Sequence, residues 1–402
     1  MNGKEEWIGR VLSRNVEEVI DRGHLRAALM SGKKLRVKHG IDPTGPKIHI
    51  GRAVVLWKLR EFQDLGHRIV LIIGDFTAQI GDPSDKLEKR PFLSKEQIRE
   101  NLKNYLPQIG KVLDLEKTEI RYNSEWLAKL NLRDFSELAD LFTFQQILER
   151  RNFHDRWQKH KEISYREGMY PLLQGYDSVA VKADVELGGT DQLFNVLAGR
   201  KVQERYGQRP QDVMATKMVI GLDGRKMSTS WGNVINILDE PADQFGKVMS
   251  LRDELIPEYF EAATDLPEDE IAGMKKGLKK GDNPKIAKSR LAFEIVKRYH
   301  GESAARKAQE NFEKVFARHE VPDDMPVLKL SVHDTAKAKD IVTALDVVIS
   351  SGVLKSKSEA RRLIKQGGFE FNEKTIKDPL EELPVRGGEI VRVGKKRFFR
   401  TA

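Results

Sequence analysis

The sequence has 402 residues, a formal net charge of +9 and no cysteine. This length exceeds what one hydrophobic core usually holds, so it predicts two or three domains. The absence of cysteine excludes disulfides and thiolate metal sites. No apolar run reaches the length of a membrane-spanning helix, about 18 residues. The first 20 residues resemble an amphipathic helix more than a signal peptide, so a cytoplasmic location is expected.

The first part of the chain predicts an α/β domain. Residues 34–41 form a short strand pattern, residues 52–65 an amphipathic helix ended by Gly66, and residues 68–76 a continuous apolar run typical of a buried parallel strand. A strand, a loop, a helix and a second strand make a βαβ unit. We therefore expect a Rossmann-like parallel-sheet catalytic domain over residues 1–236.

The later segments predict mostly helices and loops. In chain order they are helical patterns at 94–115, 124–160 and 168–181, a glycine turn into a helix at 188–207, a strand with a glycine-rich cationic loop at 218–233, and a helical region from 238 to about 318. The expected organisation continues with a helical domain (237–320), a linker (321–340) and a small basic α+β domain (341–402).

The positive charge is concentrated at the C-terminal end. Residues 351–402 contain 13 Lys and Arg against 7 Asp and Glu. This concentration favours a domain that binds a polyanion. The alternative is a solubilising tail.

Residues 40–52, GIDPTGPKIHIGR, interrupt the chain between a strand and a helix. Pro43 and Pro46 fix the backbone, while Gly45 and Gly51 allow close approach by another group. A helix that begins at the edge of a parallel sheet attracts phosphate. Its histidine could donate a hydrogen bond to such an anion, although a histidine near a helix start is more often a cap or a surface residue.

A second cationic motif, GRKMSTS at 224–230, follows much later in the chain. Arg225 and Lys226 could bind a triphosphate if this loop reaches the same sheet edge. The alternative is a solvated basic turn. Neither motif decides the function alone.

Together the two motifs carry a resemblance. IHIG resembles the HIGH motif and KMSTS the KMSKS motif of class I aminoacyl-tRNA synthetases. The segments GIDPTGPKIHIG, IGDFTAQIGDPSDK and YPLLQGYDSVAVKADVELGGTDQLFN, with the basic C-terminal domain, resemble the bacterial tyrosyl-tRNA synthetase family. The resemblance extends from about residue 30 to the end of the chain.

The resemblance implies three groups of site residues. Those expected to act in catalysis are Thr44, His49, Arg52, Lys86, Arg90, Lys226 and Thr229. Those expected to bind tyrosine are Asp82, Tyr170, Gln174, Asp177 and Gln192. Those expected to bind ATP or the adenylate are His39, Gly40, Asp42, Gly51, Gly189, Asp191, Met227 and Ser228.

Individual roles follow from the family. His49 would bind the ATP phosphates, Thr44 would face the γ-phosphate, and Lys226 would hold the leaving pyrophosphate. Lys86 and Arg90 would assist the transition state, or else be ordinary loop charges.

Nucleotide contacts are also implied. Asp42 would lie near the adenosine, Gly51 would leave room for the adenine, and Asp191 would bind the ribose of the adenylate. Gln192 would lie near the substrate carboxylate.

The amino-acid pocket also has a physical rationale. Tyr170, Gln174 and Asp177 are spaced so that they share one face of a helix. A buried face of this composition is unfavourable unless its polar groups are satisfied, which an ammonium group and a phenol would do. The resemblance assigns the ammonium to Tyr170, Gln174 and Asp82, and the phenol to Asp177. The alternative is a structural polar network between helices.

Three positions depart from the family pattern. Arg52 replaces the second histidine of HIGH, and Thr229 replaces the second lysine of KMSKS. Lys38 stands where many family members have a tyrosine that donates to the substrate phenol, so the partner of Asp177 is left open. His39 could contact the ribose instead.

The C-terminal domain resembles a small RNA-binding fold first seen in a ribosomal protein. A helix is predicted from Ser358 to Gln366, followed by a Gly-Gly turn into strands. The residues expected to contact RNA phosphates are Lys355, Lys357, Arg361, Arg362, Lys365, Lys395, Lys396 and Arg397. Phe369, Phe398 and Phe399 could stack on bases, but core packing is favoured.

The implied activity is ligation of tyrosine to tRNA(Tyr) with ATP as a substrate. Mg²⁺ is expected with ATP, without an evident protein metal site. The family implies a homodimer with an interface near 125–165 and contacts of the 237–320 region with the anticodon stem. Alternatives are a catalytically weakened tRNA- or intron-RNA-binding relative and an enzyme of the same fold for tryptophan.

Overall fold

The computed structural model describes residues 3–84, 93–317, 325–330, 341–354, 356–394 and 397–402. The chain divides into two compact units, Met1–Ala308 and Gln309–Ala402. The first unit thus contains residues 1–236 together with most of the region expected as a helical domain.

A six-stranded sheet forms the centre of the first unit. Its strands are β1 (Val16–Ile20), β2 (Arg36–Ile41), β3 (Arg68–Ile73), β4 (Thr118–Tyr122), β5 (Val185–Gly189) and β6 (Asp212–Thr216). The spatial order is β1-β6-β5-β2-β3-β4, and only the edge strand β1 runs antiparallel to its neighbour. The parallel sheet expected from the βαβ pattern is confirmed.

Helices surround this sheet and continue into the later part of the unit. They are α1 (Gly3–Ser13), α2 (Arg22–Met30), α3 (Ile50–Asp64), α4 (Thr77–Ile80), α5 (Lys95–Ile109), α6 (Ser124–Leu127), α7 (Leu132–Ala139), α8 (Phe144–Leu148), α9 (Arg151–Gln158), α10 (Tyr165–Val181), α11 (Leu193–Arg205), α12 (Pro241–Met249), α13 (Ile256–Ala263), α14 (Glu268–Lys279) and α15 (Pro284–His300). The next helix, α16 (Glu302–Ala317), begins in the first unit and ends in the second. In the part of the chain that the structure describes, none of the helices has the length and apolar character needed to cross a membrane.

The sheet has a buried core because its central strands are apolar on both faces. In β3, all residues from Ile69 to Ile73 are fully buried. Helices cover both faces of such a sheet, which leaves the carboxyl ends of the strands open for loops.

The N-terminal segment corrects one expectation. The helix expected over the first 20 residues ends at Ser13, and Val16–Ile20 forms β1. Asn15 turns the chain with φ of 53°, and the β-branched residues that follow pair with β6. Pairing with a strand about 200 positions away overrides the local helical pattern.

The segment 218–233 corrects a second expectation. The strand here lies earlier, at β6, and the segment itself contains an isolated bridge between Ile220 and Lys226 and a 3₁₀ turn at Thr229–Trp231. The cationic motif therefore lies in a loop that follows β6.

The second unit is a small α+β domain. Its strands are β7 (Val327–Leu328), β8 (Ile341–Thr343), β9 (Phe369–Phe371), β10 (Lys374–Thr375), β11 (Glu382–Pro384), β12 (Ile390–Val393) and β13 (Arg397–Thr401), and its helices include α17 (Ala344–Ser350) and α18 (Lys357–Lys365). One sheet has the order β10-β9-β12-β13-β7, and β11 pairs with β8.

Part of the expected linker 321–340 belongs to this unit. Val327 and Leu328 pair with Arg400 and Thr401 in a parallel ladder, and Leu328 enters the core. Phe369 is fully buried in the same core, and Phe399 packs against it. These two rings therefore serve core packing, as the sequence favours.

Candidate active site

A cavity of about 360 Å³ opens at the carboxyl ends of the parallel strands and beside the start of α3. Every candidate residue for catalysis, tyrosine or ATP that the structure describes lines it: His39, Gly40, Asp42, Thr44, His49, Gly51, Arg52, Asp82, Tyr170, Gln174, Asp177, Gly189, Asp191, Gln192, Lys226, Met227, Ser228 and Thr229. Lys86 and Arg90 lie outside the described residues. The fold thus brings together residues from five separate segments.

The broken stretch 40–52 places His49 at the N-terminus of α3. His49 has an extended backbone (φ −95°, ψ 163°), and its side chain does not cap the helix. Its ring instead lies against Gly51, where an added Cβ would be 3.1 Å from His49 Nδ1 and 3.6 Å from Met227 Cβ. Glycine at position 51 therefore leaves room for the His49 ring, as well as for any ligand above it.

His49 is a neutral hydrogen-bonding group at neutral pH. Burial, together with the positive charges of Arg52 and Lys226, lowers its pKa to about 3. Its Nδ1 is buried and has no hydrogen-bond partner among the described residues. A neutral imidazole can donate to a phosphate without acting as an acid.

Arg52 is held in the cavity by two hydroxyl groups. Its Nη1 donates to Tyr105 Oη at 2.5 Å, and its Nη2 donates to Thr44 Oγ1 at 3.1 Å. The planar guanidinium group can serve both acceptors at once. Tyr105 is fully buried. The sequence does not mark it as a site residue, because a tyrosine in an amphipathic helix usually belongs to the hydrophobic core.

The loop with the second motif is built around Asn233. Its Nδ2 donates to Asp223 Oδ1 at 2.7 Å and to the Lys226 carbonyl at 3.0 Å, and its Oδ1 accepts from Ser228 N at 2.8 Å. Arg225 does not line the cavity; it pairs with Asp223, and its guanidinium lies 4.3 Å from the centroid of the Trp231 ring. Of the two cations, Lys226 therefore lines the cavity, where its Nζ lies 2.8 Å from Asp191 Oδ2.

Asp177 forms the buried end of the pocket on α10. Its Oδ1 accepts from Trp126 Nε1 at 2.8 Å and its Oδ2 from Asn123 Nδ2 at 3.4 Å. Burial raises its pKa to about 7, although Lys38 and the two donors favour the ionised form. Trp126 and Asn123 hold this carboxylate, and local sequence patterns do not indicate them because they lie about 50 residues before Asp177.

The other polar candidates form two hydrogen-bonded groups, one around Asp82 and one around Asp42. Asp82 accepts from Gln192 Nε2 at 2.7 Å and from Asn195 Nδ2 at 3.4 Å. Asp42 Oδ2 accepts from Tyr170 Oη at 3.0 Å, and burial with the neighbouring Asp42 charge raises the pKa of Tyr170. Asp42 thus contacts a tyrosine-pocket residue, which the expected adenosine role did not foresee.

Lys38 does not line the cavity. It is fully buried, and its Nζ lies 2.9 Å from Glu186 Oε1. His39 does line the cavity, and its Nδ1 is 2.8 Å from the Leu187 carbonyl. Lys38 therefore does not replace the family tyrosine as a direct contact of a bound phenol.

The candidate RNA-binding side chains lie on the second unit. Four of them are exposed on α18: Lys357, Arg361, Arg362 and Lys365. Arg397 is exposed at the start of β13, whereas Lys355, Lys395 and Lys396 lie outside the described residues. The observed helix is shifted by one residue from the expected range, because Ser356 caps it by accepting from Glu359 N.

Comparison with known proteins matches both units. The profile of the tRNA synthetases class I (W and Y) matches residues 30–317, and the S4 domain profile matches residues 345–391. The tyrosine–tRNA ligase of Dehalococcoides mccartyi (strain CBDB1) is 47% identical over 402 residues, which cover 100% of both chains. The tyrosine–tRNA ligase of Thermotoga maritima is 48% identical over 393 residues, 97% of this chain and 96% of the relative.

Solved structures show the same fold at lower sequence identity. A C-terminally truncated mitochondrial tyrosyl-tRNA synthetase of Aspergillus nidulans superposes with a TM-score of 0.61 at 20% identity, over 78% of this chain and 99% of that chain. Tyrosyl-tRNA synthetase of Archaeoglobus fulgidus, in complex with L-tyrosine, gives a TM-score of 0.59 at 22% identity, over 76% and 99%. With a profile match over well over half of its length, the chain belongs to the class I tRNA synthetases of the tryptophan and tyrosine type and carries a C-terminal S4 domain.

Proposed function

We propose that the protein is a tyrosine–tRNA ligase. The observation that carries the proposal is Asp177, a buried carboxylate at the end of a cavity that also holds the HIGH-like and KMSKS-like residues. Relatives at 47–48% identity over nearly full length bear this name. A phenol can donate to the carboxylate, whereas an indole N–H projects from a larger ring system, so the pocket favours tyrosine over tryptophan.

The proposed first step joins tyrosine to AMP. The carboxylate of tyrosine attacks the α-phosphorus of ATP, an O–P bond forms, and the bond to pyrophosphate breaks. The chain positions the reactants and stabilises the charge that develops on the phosphates, without a side-chain nucleophile. His49 and Arg52 would contact the phosphates, and Lys226 would receive the leaving pyrophosphate.

Mg²⁺ would accompany ATP and neutralise phosphate charge. Among the described residues, one group with ligand atoms close enough to hold a metal comprises Asp21, His24 and Asp212. None of these three lines the cavity. The ion would therefore be held by phosphate oxygens of ATP and by water.

In the proposed second step, a terminal ribose hydroxyl of tRNA(Tyr) attacks the carbonyl carbon of tyrosyl-adenylate, and AMP leaves. The exposed basic face of α18 would contact RNA phosphates, and the helices α12–α16 would meet the anticodon stem. Because tRNA and ATP are its substrates, we propose a cytoplasmic site of action.

We also propose a homodimer, with the interface in the segment 125–165 that the family resemblance indicates. Large apolar side chains are exposed in and beside this segment: Leu132 (82%), Phe144 (61%), Trp157 (62%) and Tyr165 (67%). The rings of Phe144 and Tyr165 stack with their centroids 6.0 Å apart. Burial of such a patch against a second copy would remove it from water.

The test is incorporation of labelled pyrophosphate into ATP with tyrosine as the amino acid. We expect exchange that requires tyrosine, followed by charging of tRNA(Tyr) in a separate assay. Absence of exchange at saturating ATP would overturn the proposal and favour the catalytically weakened RNA-binding alternative.

A further inference from the structure

Lys38 and Glu186 form a fully enclosed ion pair behind the pocket. Their exposed fractions are 0% and 1%, and neither residue lines the cavity. The Lys38 ammonium also donates to Ser178 Oγ at 2.7 Å and to the Gln174 carbonyl at 3.1 Å. Its three protons are thus matched by three acceptors, which a buried ammonium requires.

Besides pairing with Lys38, Glu186 binds the side chain of a pocket residue. Its Oε1 accepts from Gln174 Nε2 at 3.1 Å, while its Oε2 accepts from Ser178 Oγ at 3.2 Å and from Gln211 Nε2. Gln174 lines the cavity and sits one helical turn from Asp177. The charged pair therefore reaches the pocket through the side chain of Gln174.

The contact fixes which end of the Gln174 amide a ligand meets. An amide has a donor end and an acceptor end, and Glu186 takes the donor end. This leaves the carbonyl oxygen Oε1 for a ligand. An ammonium group has donors only, so it needs that oxygen and would be repelled by the amide nitrogen.

We propose that the Lys38–Glu186 pair is a positioning device that orients the Gln174 amide to accept from the ammonium group of the amino-acid substrate. Lys38 pairs with Glu186 inside the protein, and Glu186 keeps the amide from flipping. The pair acts through Gln174 and does not touch the substrate. This inference rests on the proposed tyrosine activity and explains why a lysine stands where many family members have a tyrosine.

The test compares two ligands that differ only in the ammonium group. They are L-tyrosine and 3-(4-hydroxyphenyl)propanoate, which lacks the amine. Dissociation constants are measured by calorimetry with the full chain, for the wild type and for Lys38→Met/Glu186→Met. Replacing both charges with apolar groups avoids leaving one buried charge unpaired. If this variant fails to fold, Lys38→Met/Glu186→Leu repeats the test with different packing.

A matched control is available in the same unit. Arg156 and Glu167 are both fully buried, with Nη2 2.9 Å from Oε2, and Glu167 lies on α10 as Gln174 does. Arg156→Met/Glu167→Met removes an equivalent buried pair that contacts no candidate site residue through its ion pair. It should leave the ratio of the two dissociation constants within about twofold of the wild type, since unrelated structural changes affect both ligands alike.

The expected result for the Lys38/Glu186 variant is a loss of at least about tenfold in affinity for tyrosine, with less than twofold change for the deaminated ligand, as loss of a hydrogen bond to a charged group predicts. Lys38→Met/Glu186→Gln, which removes both charges but keeps an acceptor for Gln174, should recover most of the tyrosine preference. An unchanged preference, or equal losses for both ligands, would overturn the inference. Failure of the wild type to bind tyrosine would instead overturn the proposed function.

Discussion

The ammonium of Lys226 lies 2.8 Å from Asp191 Oδ2, so a residue expected to hold pyrophosphate is paired with one expected to hold ribose. Both side chains are partly exposed in the cavity, at 28% and 22%. Bound ATP would therefore break this ion pair. Its ribose would bind Asp191, and its phosphates would bind Lys226. The pair keeps both groups in place beside the nucleotide site.

Lys226→Met should lower kcat of pyrophosphate exchange by about 10²-fold, because it removes a charge that stabilises the leaving group. KM for tyrosine should stay within about twofold, since the ion pair of Lys226 is with Asp191 and not with a residue assigned to tyrosine. Steady-state exchange kinetics at varied tyrosine measure both values. Lys103→Met, which removes a lysine from an exposed ion pair with Glu100, is the control. A rise confined to KM for tyrosine would contradict the assigned role.

The preference for tyrosine over phenylalanine should depend on pH through Asp177. Its pKa of about 7, raised by burial, means that the carboxyl is mostly neutral at pH 6 and mostly ionised at pH 8. Tyrosine donates to the ionised form, whereas phenylalanine leaves that form without a donor. The ratio of kcat/KM values should therefore rise about tenfold from pH 6 to pH 8.

Asp177→Asn is the matched variant for this pH effect. For this variant, the ratio of kcat/KM for tyrosine to that for phenylalanine should be low and constant from pH 6 to pH 8, because the amide does not titrate. The raised pKa also predicts that the wild-type free energy of unfolding falls as pH rises from about 4 to 7, because the unfolded chain ionises this carboxyl more readily. A wild-type ratio that is constant with pH would show that another group recognises the phenol.

Arg52→Lys should lower kcat of exchange by about tenfold, because one ammonium cannot reproduce the fork that holds Tyr105 and Thr44 and reaches phosphate. Arg60→Lys, on the exposed face of the same helix, is the control and should change kcat by less than about twofold. Exchange kinetics at saturating tyrosine and ATP distinguish the two. Equal activity of Arg52→Lys and the wild type would mean that the replacement of the second HIGH histidine has no catalytic role.

Arg361→Ala/Arg362→Ala should raise KM for tRNA about tenfold and weaken its dependence on salt, because two phosphate contacts are removed. Pyrophosphate exchange should be unchanged, since it needs no RNA. Arg386→Ala, also exposed on the second unit but outside α18, provides the control in a charging assay. Loss of exchange in the double variant would refute a role confined to RNA.

Local patterns predicted the parts of the site that lie on one element. The spacing of Tyr170, Gln174 and Asp177 is a property of a single helix, and the structure places all three at one cavity. The broken stretch before α3 likewise follows from its prolines and glycines. Such features depend only on residues that are close in the chain, so they can be predicted from the sequence.

Contacts between distant segments cannot be predicted from local sequence patterns. Trp126 and Asn123 reach Asp177 from the segment after β4, and Tyr105 reaches Arg52 from α5. The local pattern predicts helix at β1, whose strand structure depends on non-local pairing with β6. Lys38 occupies the position of a family tyrosine, but its ammonium pairs with Glu186 on the neighbouring strand and does not line the cavity.

The most direct test of the central claim is pyrophosphate exchange by the wild-type chain with tyrosine, tryptophan and phenylalanine, each compared by kcat/KM at pH 8. Because the buried carboxylate needs a phenolic donor, kcat/KM for tyrosine should exceed the values for tryptophan and phenylalanine by at least about 10³-fold. A substrate without the phenol would leave this buried polar group unpaired. The Asp177→Ala variant should lose most of this advantage over phenylalanine. Equal or faster exchange with tryptophan, or a tyrosine preference that survives in Asp177→Ala, would contradict the account.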